Sequence, residues 1–215
     1  MATTRTRLIL VALISCLATA AVTLLVNGRS GPPGDASPEA GFSRDMGIHH
    51  AQAAEMSFAV RDASTDPAIR GLSYDIITTQ TAQRGVFMGW LQQWGLNQAT
   101  TRPSMAWMAG HGHGASAAAG TPAKVPTTMP GIASDEEMKR LQAAKGKDAE
   151  ILFLQLMIRH HEGGVQMARA VLSLTNRPEV RTMAQHIVDT QDSEIAYMTE
   201  LLQARDAKPY PSILK

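Results

Sequence analysis

Residues 157–167 read MIRHHEGGVQM, and 111 positions earlier residues 46–56 read MGIHHAQAAEM. Both stretches carry a Met, an adjacent His pair one helical turn on, and a second Met at the far end. Extended outward in the same register, residues 42–92 align with 153–203 without a gap, and 14 of the 51 pairs are identical. Phe42, Met46, His49, His50 and Met56 match Phe153, Met157, His160, His161 and Met167. Pro67, Arg70, Ile76, Thr79 and Gln80 match Pro178, Arg181, Ile187, Thr190 and Gln191. Identity concentrated on such residues at one fixed offset indicates duplication of a structural unit.

Each copy reads as a helical hairpin. In the first, Ser37 caps a helix that begins at Pro38 and runs to about Ala63. Thr65-Asp66-Pro67 then breaks the chain and starts a second helix, which reaches about Trp94. In the second copy, helices cover about Asp148–Leu174 and, with Asn176 as cap and Pro178 in the first turn, a stretch ending near Arg205. A short helix precedes this copy, opened by a Ser134/Glu137 capping box and ending near Gly146. The expected fold is all-α: a four-helix bundle over residues 41–206, built from duplicated hairpins at about 42–94 and 148–205. The linker, 95–133, is long enough to cross the bundle, which leaves the order of the helices open.

At about 100° per residue, Met157, His160, His161, Gly164 and Met167 share one helical face, and Met46, His49, His50, Ala53 and Met56 repeat it. Ile187, Gln191, Glu194 and Met198 form a stripe on the last helix that suits it as a partner. A Met stripe at helical spacing is ordinary core, and a repeated fold repeats its core. Burying two adjacent imidazoles twice, however, is costly unless they are hydrogen-bonded or metallated. Gly163 and Gly164 each cost a helix interior ~1 kcal/mol relative to Ala, so a close neighbour or a bound ion is expected beside them.

Imidazole suits copper, zinc, iron and nickel, whereas thioether selects Cu(I) among these. A di-iron bundle expects Glu-x-x-His pairs, which neither copy has. HExxH fails because position 165 is Val, and catalytic zinc needs more His or carboxylate ligands. Copper, as Cu(I) or Cu(II) with silver as a mimic, is the best chemical match; iron and zinc fit less well. The linker adds MAWMAGHGHG, residues 105–114, in which Met105, Met108, His111 and His113 read as an adaptable, surface-exposed capture site or as an accidental low-complexity loop. Neutral imidazole is needed, so binding is expected to weaken as pH falls toward and below about 6.5.

The chain has 215 residues and a net charge of +1, which gives no electrostatic case for nucleic acid. Residues 1–29 read as a signal peptide or membrane anchor: a basic start precedes nineteen uncharged residues, 8–26. Ala18-Thr19-Ala20 offers a cleavage site and Leu13-Ile14-Ser15-Cys16 a lipobox-like alternative; the uninterrupted apolar run favours an anchor. All three place the remainder outside the cytoplasm, behind a flexible tether at 30–40. Cys16 is the only cysteine, so the exported part has no thiolate ligand.

The stretch MPGIASDEEMKRLQAAKGKDAEILFLQLMIRHHEGGVQMA, 129–168, continued by QHIVDTQDSEIAYMTELL, resembles the family known as domain of unknown function 305. The resemblance implies a ferritin-like fold, export in bacteria and, in some members, copper binding. Its motif points to Met157, His160, His161, Met167, Gln191, Glu194 and Met198 as metal residues. The first copy departs from it: Gln83 stands for Glu194, and Phe87 for Met198. The expected function is sequestration, buffering or delivery of copper in the bacterial cell envelope, without catalysis, with a metal-transfer protein as a possible partner. The alternatives are a ferritin-like metal-dependent oxidase and a metal-free helical interaction module.

Overall fold

The computed structural model describes residues 4–27, 31–108 and 128–214; in the first helix, side chains are described as far as Ala20. Six α-helices are present among the described residues: α1 (Thr4–Asn27), α2 (Pro38–Ala63), α3 (Pro67–Gln93), α4 (Asp135–Ala143), α5 (Gly146–Leu174) and α6 (Pro178–Gln203). One 3-10 turn, Ala106–Met108, lies in the linker. The chain divides into Met1–Pro33 and Gly34–Lys215. In the first unit, α1 leaves Leu8, Ile9, Leu10, Val11, Leu13, Ile14 and Leu17 exposed. Among the described residues no helix is long and apolar enough to cross a membrane. The anchor reading therefore rests on the sequence of 8–26 alone.

In the second unit, local chemistry sets the helix ends. Ser37 caps α2 by accepting from the Ala40 N–H at 3.2 Å, and Asp66 caps α3 by accepting from Ala68 at 2.8 Å and Ile69 at 3.4 Å. The capping box of α4 is complete: Ser134 Oγ accepts from the Glu137 N–H at 3.2 Å, and Glu137 accepts from the Ser134 N–H at 2.8 Å. The start of α6 differs from expectation. Its cap position is Arg177, which supplies no side-chain cap, and Asn176 lies one residue outside. Pro178 instead fixes the start, as Pro67 does in α3.

The close helix approaches run α3 to α2, α2 to α5, and α5 to α6. Helices α2 and α5 are antiparallel, and hydrogen bonds related by the 111-residue offset mark both ends. Ser64 Oγ, after α2, donates to Glu150 Oε1 near the start of α5 at 2.6 Å. Thr175 Oγ1, after α5, donates to Glu39 Oε1 near the start of α2, also at 2.6 Å. Within each hairpin, Arg70 donates to the Arg61 carbonyl at 2.6 Å and Arg181 to the Leu172 carbonyl at 2.5 Å. Contacts thus recur at the same 111-residue offset as the sequence.

All four long helices feed two apolar clusters. One gathers Met56 and Val60 of α2, Ile69 and Ile76 of α3, Phe153 and Met157 of α5, and Met198 and Leu202 of α6. The other gathers Phe42 and Met46 of α2, Phe87 of α3, Val165 and Met167 of α5, and Val180 and Ile187 of α6. Between them along α2 and α5 lie the two His pairs.

Candidate metal centre

The face expected from helical periodicity is buried as a unit. Met46, His49, His50, Met56, Met157, His160, His161, Met167 and Met198 are all 0% exposed. Gln191 is buried, and the Glu194 side chain retains 19% exposure. The antiparallel packing regroups these residues across the repeats. Met46 shares its cluster with Met167, and Met56 shares its own with Met157 and Met198. The two His/Met sets are therefore not one self-contained site per copy, as each copy's sequence implies; they form one layer with Met at either end.

At the centre, the rings of His49 and His160 stack between α2 and α5, with centroids 3.7 Å apart and planes 29° apart. His50 meets Gln83 Oε1 through Nε2 at 2.7 Å, and His161 meets Glu194 Oε2 through Nε2 at 2.7 Å. These bonds occupy equivalent positions, so Gln83 keeps the role of Glu194 as hydrogen-bond acceptor without its charge. His49 Nε2 donates to the Pro130 carbonyl at 3.1 Å. His49 Nδ1, His50 Nδ1, His161 Nδ1 and both ring nitrogens of His160 are buried without a hydrogen-bond partner. So are Ser57 Oγ, both polar atoms of the Gln80 amide, and Gln191 Oε1. Leaving a buried polar atom unmatched costs roughly 1–3 kcal/mol. Five such ring nitrogens lie on the facing stretches of α2 and α5.

Burial sets the protonation state. It pulls the His49 pKa down to about 4 and the His50 pKa to about 3, and it holds His160 well below the ordinary value. Repulsion between neighbouring imidazoles acts in the same direction. The acid limit of about 6.5 expected from free imidazole therefore moves downward for these three rings.

The double glycine has a reason at each position. A Cβ on Gly163 would collide with the Pro130 carbonyl, because residues 129–133 cross α5 at this point. A Cβ on Gly164 would collide with the Gln191 amide oxygen. Gly131, at φ +75, lies against the Arg159 carbonyl and His160 Cα, where no side chain fits. The strap is held at its far end by Gln52, which donates to the Ala133 carbonyl at 2.8 Å and accepts from the Ala133 N–H at 2.7 Å. A bidentate Arg159–Glu137 pair, at 2.8 and 2.6 Å, fixes the start of α4 just beyond. Sequence reasoning missed this strap; its signals were the Pro130-Gly131 dipeptide and the Gly163-Gly164 pair.

The linker expectation is corrected where it is described. Met105 is buried in the cluster that holds Met46 and Met167, and Met108 packs against that cluster. Asp45 Oδ2 accepts from the Met105 N–H and from Trp107 Nε1, both at 2.8 Å. Trp107 stands edge-on to Phe42 at 5.9 Å. Met105 is therefore a docked core residue and no surface capture ligand. His111 and His113 lie outside the described residues.

The family model for the domain of unknown function DUF305 matches residues 39–202, and the chain belongs to that family. The chain is 42% identical to a DUF305 protein from Streptomyces coelicolor, provisionally named as secreted; the match has a TM-score of 0.73 and covers 83% of this chain and 99% of that one. A DUF305 fragment from Deinococcus radiodurans is 32% identical, with a TM-score of 0.61 and coverage of 78% and 96%. A protein named CopM, solved in a Cu(I)-bound form, is 24% identical with a TM-score of 0.56, covering 78% of this chain and 96% of its own. That likeness is one of fold. CopM has also been solved in Cu(II)-bound, silver-bound and apo forms. No curated protein matches the chain.

Proposed function

We propose that this chain is an extracytoplasmic copper-binding protein that sequesters, buffers or delivers copper. The observation that carries the reading is the buried layer of four imidazoles with unpartnered ring nitrogens, flanked by thioethers from both repeats. Among the described residues no group of three or more His, Cys, Asp or Glu side chains is placed to hold a metal ion. A metal held here completes its coordination with Met, and thioether with imidazole favours Cu(I) and Ag(I). His49, His50, His160 and His161 would supply the nitrogens, and Met46, Met56, Met157, Met167 and Met198 the sulfurs. The copper- and silver-bound forms of the fold neighbour CopM support the choice of metal. The name of the Streptomyces relative and the apolar segment 8–26 support export, with that segment as signal or tether.

In this reading the four long helices, which share both cores, make up a ferritin-like bundle without catalytic turnover. Neither copy has the Glu-x-x-His pair that a di-iron bundle expects. A Cu(I) titration of residues 30–215 against a competing chelator tests the proposal, with His160→Ala/His161→Ala and His49→Ala/His50→Ala alongside. Wild-type affinity no better than that of the two double variants would sink it. Oxygen consumption above background with Cu(I) or Fe(II) would replace binding by oxidation.

A further inference from the structure

The geometry points to Nδ1 as the metal-binding atom of His49, His50 and His161, and we infer that Glu194, Gln83 and the Pro130 carbonyl are positioning groups that hold the opposite ring nitrogen. This inference rests on the copper reading and names the atoms that carry it.

A carboxylate and a peptide carbonyl only accept hydrogen bonds. The ring nitrogen that faces each one must therefore carry the proton. At 2.7 Å from Glu194 Oε2 and 3.1 Å from the Pro130 carbonyl, that nitrogen is Nε2 in both His161 and His49. Gln83 presents its amide oxygen to His50 Nε2 in the same way, at 2.7 Å. A neutral ring protonated on Nε2 has its lone pair on Nδ1. In all three residues that nitrogen is the buried one without a partner. Metal-bound imidazoles generally donate their other N–H to a carboxylate or carbonyl, which fixes the tautomer and raises ligand basicity.

The sequence places Glu194 itself among the ligands. In the structure its Oε2 is committed to His161, and the equivalent position in the first copy is a neutral Gln that makes the same bond. What the two copies share at this position is an acceptor and not a charge. The charge then grades the pair: a carboxylate makes the stronger hydrogen bond and leaves His161 the better donor. No equivalent acceptor fixes the tautomer of His160.

The test uses the full chain, labelled with 15N in histidine, and Ag(I) as a redox-inert probe. Before metal is added, His49, His50 and His161 are expected to show a protonated Nε2. On addition of Ag(I), their Nδ1 resonances move and the Nε2 protons remain. Glu194→Gln should keep the His161 tautomer and lower Ag(I) affinity only a few-fold. Glu194→Ala should release the ring and lower affinity by ~10–100-fold. Gln83→Glu should strengthen Ag(I) binding and shift the His50 resonances most. Loss of the Nε2 protons with silver bound would overturn the inference and leave the copper reading standing. Equal losses in the Gln and Ala variants would make Glu194 a ligand, with the same consequence. Silver that moves no imidazole resonance would overturn both.

Discussion

His50 and His161 sit at equivalent points of the repeat, each 2.7 Å from an acceptor on the following helix, yet one acceptor is an amide and the other a carboxylate. Around them the copies diverge further. Gln52 of the first copy holds the strap at Ala133, whereas Gly163 of the second makes room for it. Only the second hairpin ends in Arg205, which donates to Glu150 at 2.8 Å and to Asp66 at 2.7 Å; position 94 of the first is Trp. Both copies feed the buried layer, and the differences divide the labour. The first copy anchors the strap through Gln52 and His49, and the second makes room for it and carries the charge and the lock between hairpins.

Acidification should have the largest effect on this division. His49 and His50 are neutral in the fold, with pKa values of about 4 and about 3, whereas an unfolded imidazole titrates near 6.5. Below about 6.5 the unfolded chain takes up protons that the folded chain refuses, so stability falls with pH until the folded pKa is reached. For His49 alone that amounts to on the order of 3 kcal/mol between pH 6.5 and 4. Urea unfolding of the metal-free protein across this range should show the loss, and His49→Gln/His50→Gln should flatten it. An unchanged acid limb in that variant would assign the sensitivity to the second copy.

Breaking the lock comes next. Arg205→Ala leaves the buried Glu150 carboxylate with the Ser64 hydroxyl but no cation, and should cost about 3 kcal/mol in thermal unfolding. A loss below about 1 kcal/mol would remove the network as the asymmetry that joins the hairpins. For metal, His160→Ala/His161→Ala should weaken Cu(I) binding by about 100-fold, or ~2.7 kcal/mol, and His49→Ala/His50→Ala by less. The reverse order would make the first His pair the stronger contributor to the layer. Gly163→Ala should cost ~2 kcal/mol, since the Pro130 backbone must move. Gly164→Ala should be close to neutral. Its obstacle is the movable Gln191 side chain, and the helix gains ~1 kcal/mol. Equal losses at the two glycines, measured by chemical denaturation, would contradict the strap as the cause of the first.

The face of the site was legible because it depends on local periodicity. Met157, His160, His161 and Met167 align at helical spacing, and all are buried. The grouping is not legible, because helical periodicity speaks for one copy at a time, whereas the antiparallel packing places Met46 in one cluster with Met167 and Met56 in another with Met157. The cap of α6 was misplaced by one residue because a Pro at the first helical position tolerates a poor cap. Met105 reads as part of a surface-exposed segment because GHGHG follows at 110–114, and nothing local reveals that Asp45, far back in the chain, holds its N–H.

The sequence alone determined that the chain is a duplicated, all-helical protein with a His/Met face in each copy. Those properties live in hydrophobic period, caps and repeat offset, which are written in short stretches of chain. Only the tertiary structure decided that His49 stacks on His160, that Pro130 covers the pair, and which nitrogen of each ring is left free. These follow from how α2 and α5 cross and what the linker lays over them. They join residues such as His49 and Pro130, or Ser64 and Glu150, that only the packed fold brings within hydrogen-bond reach.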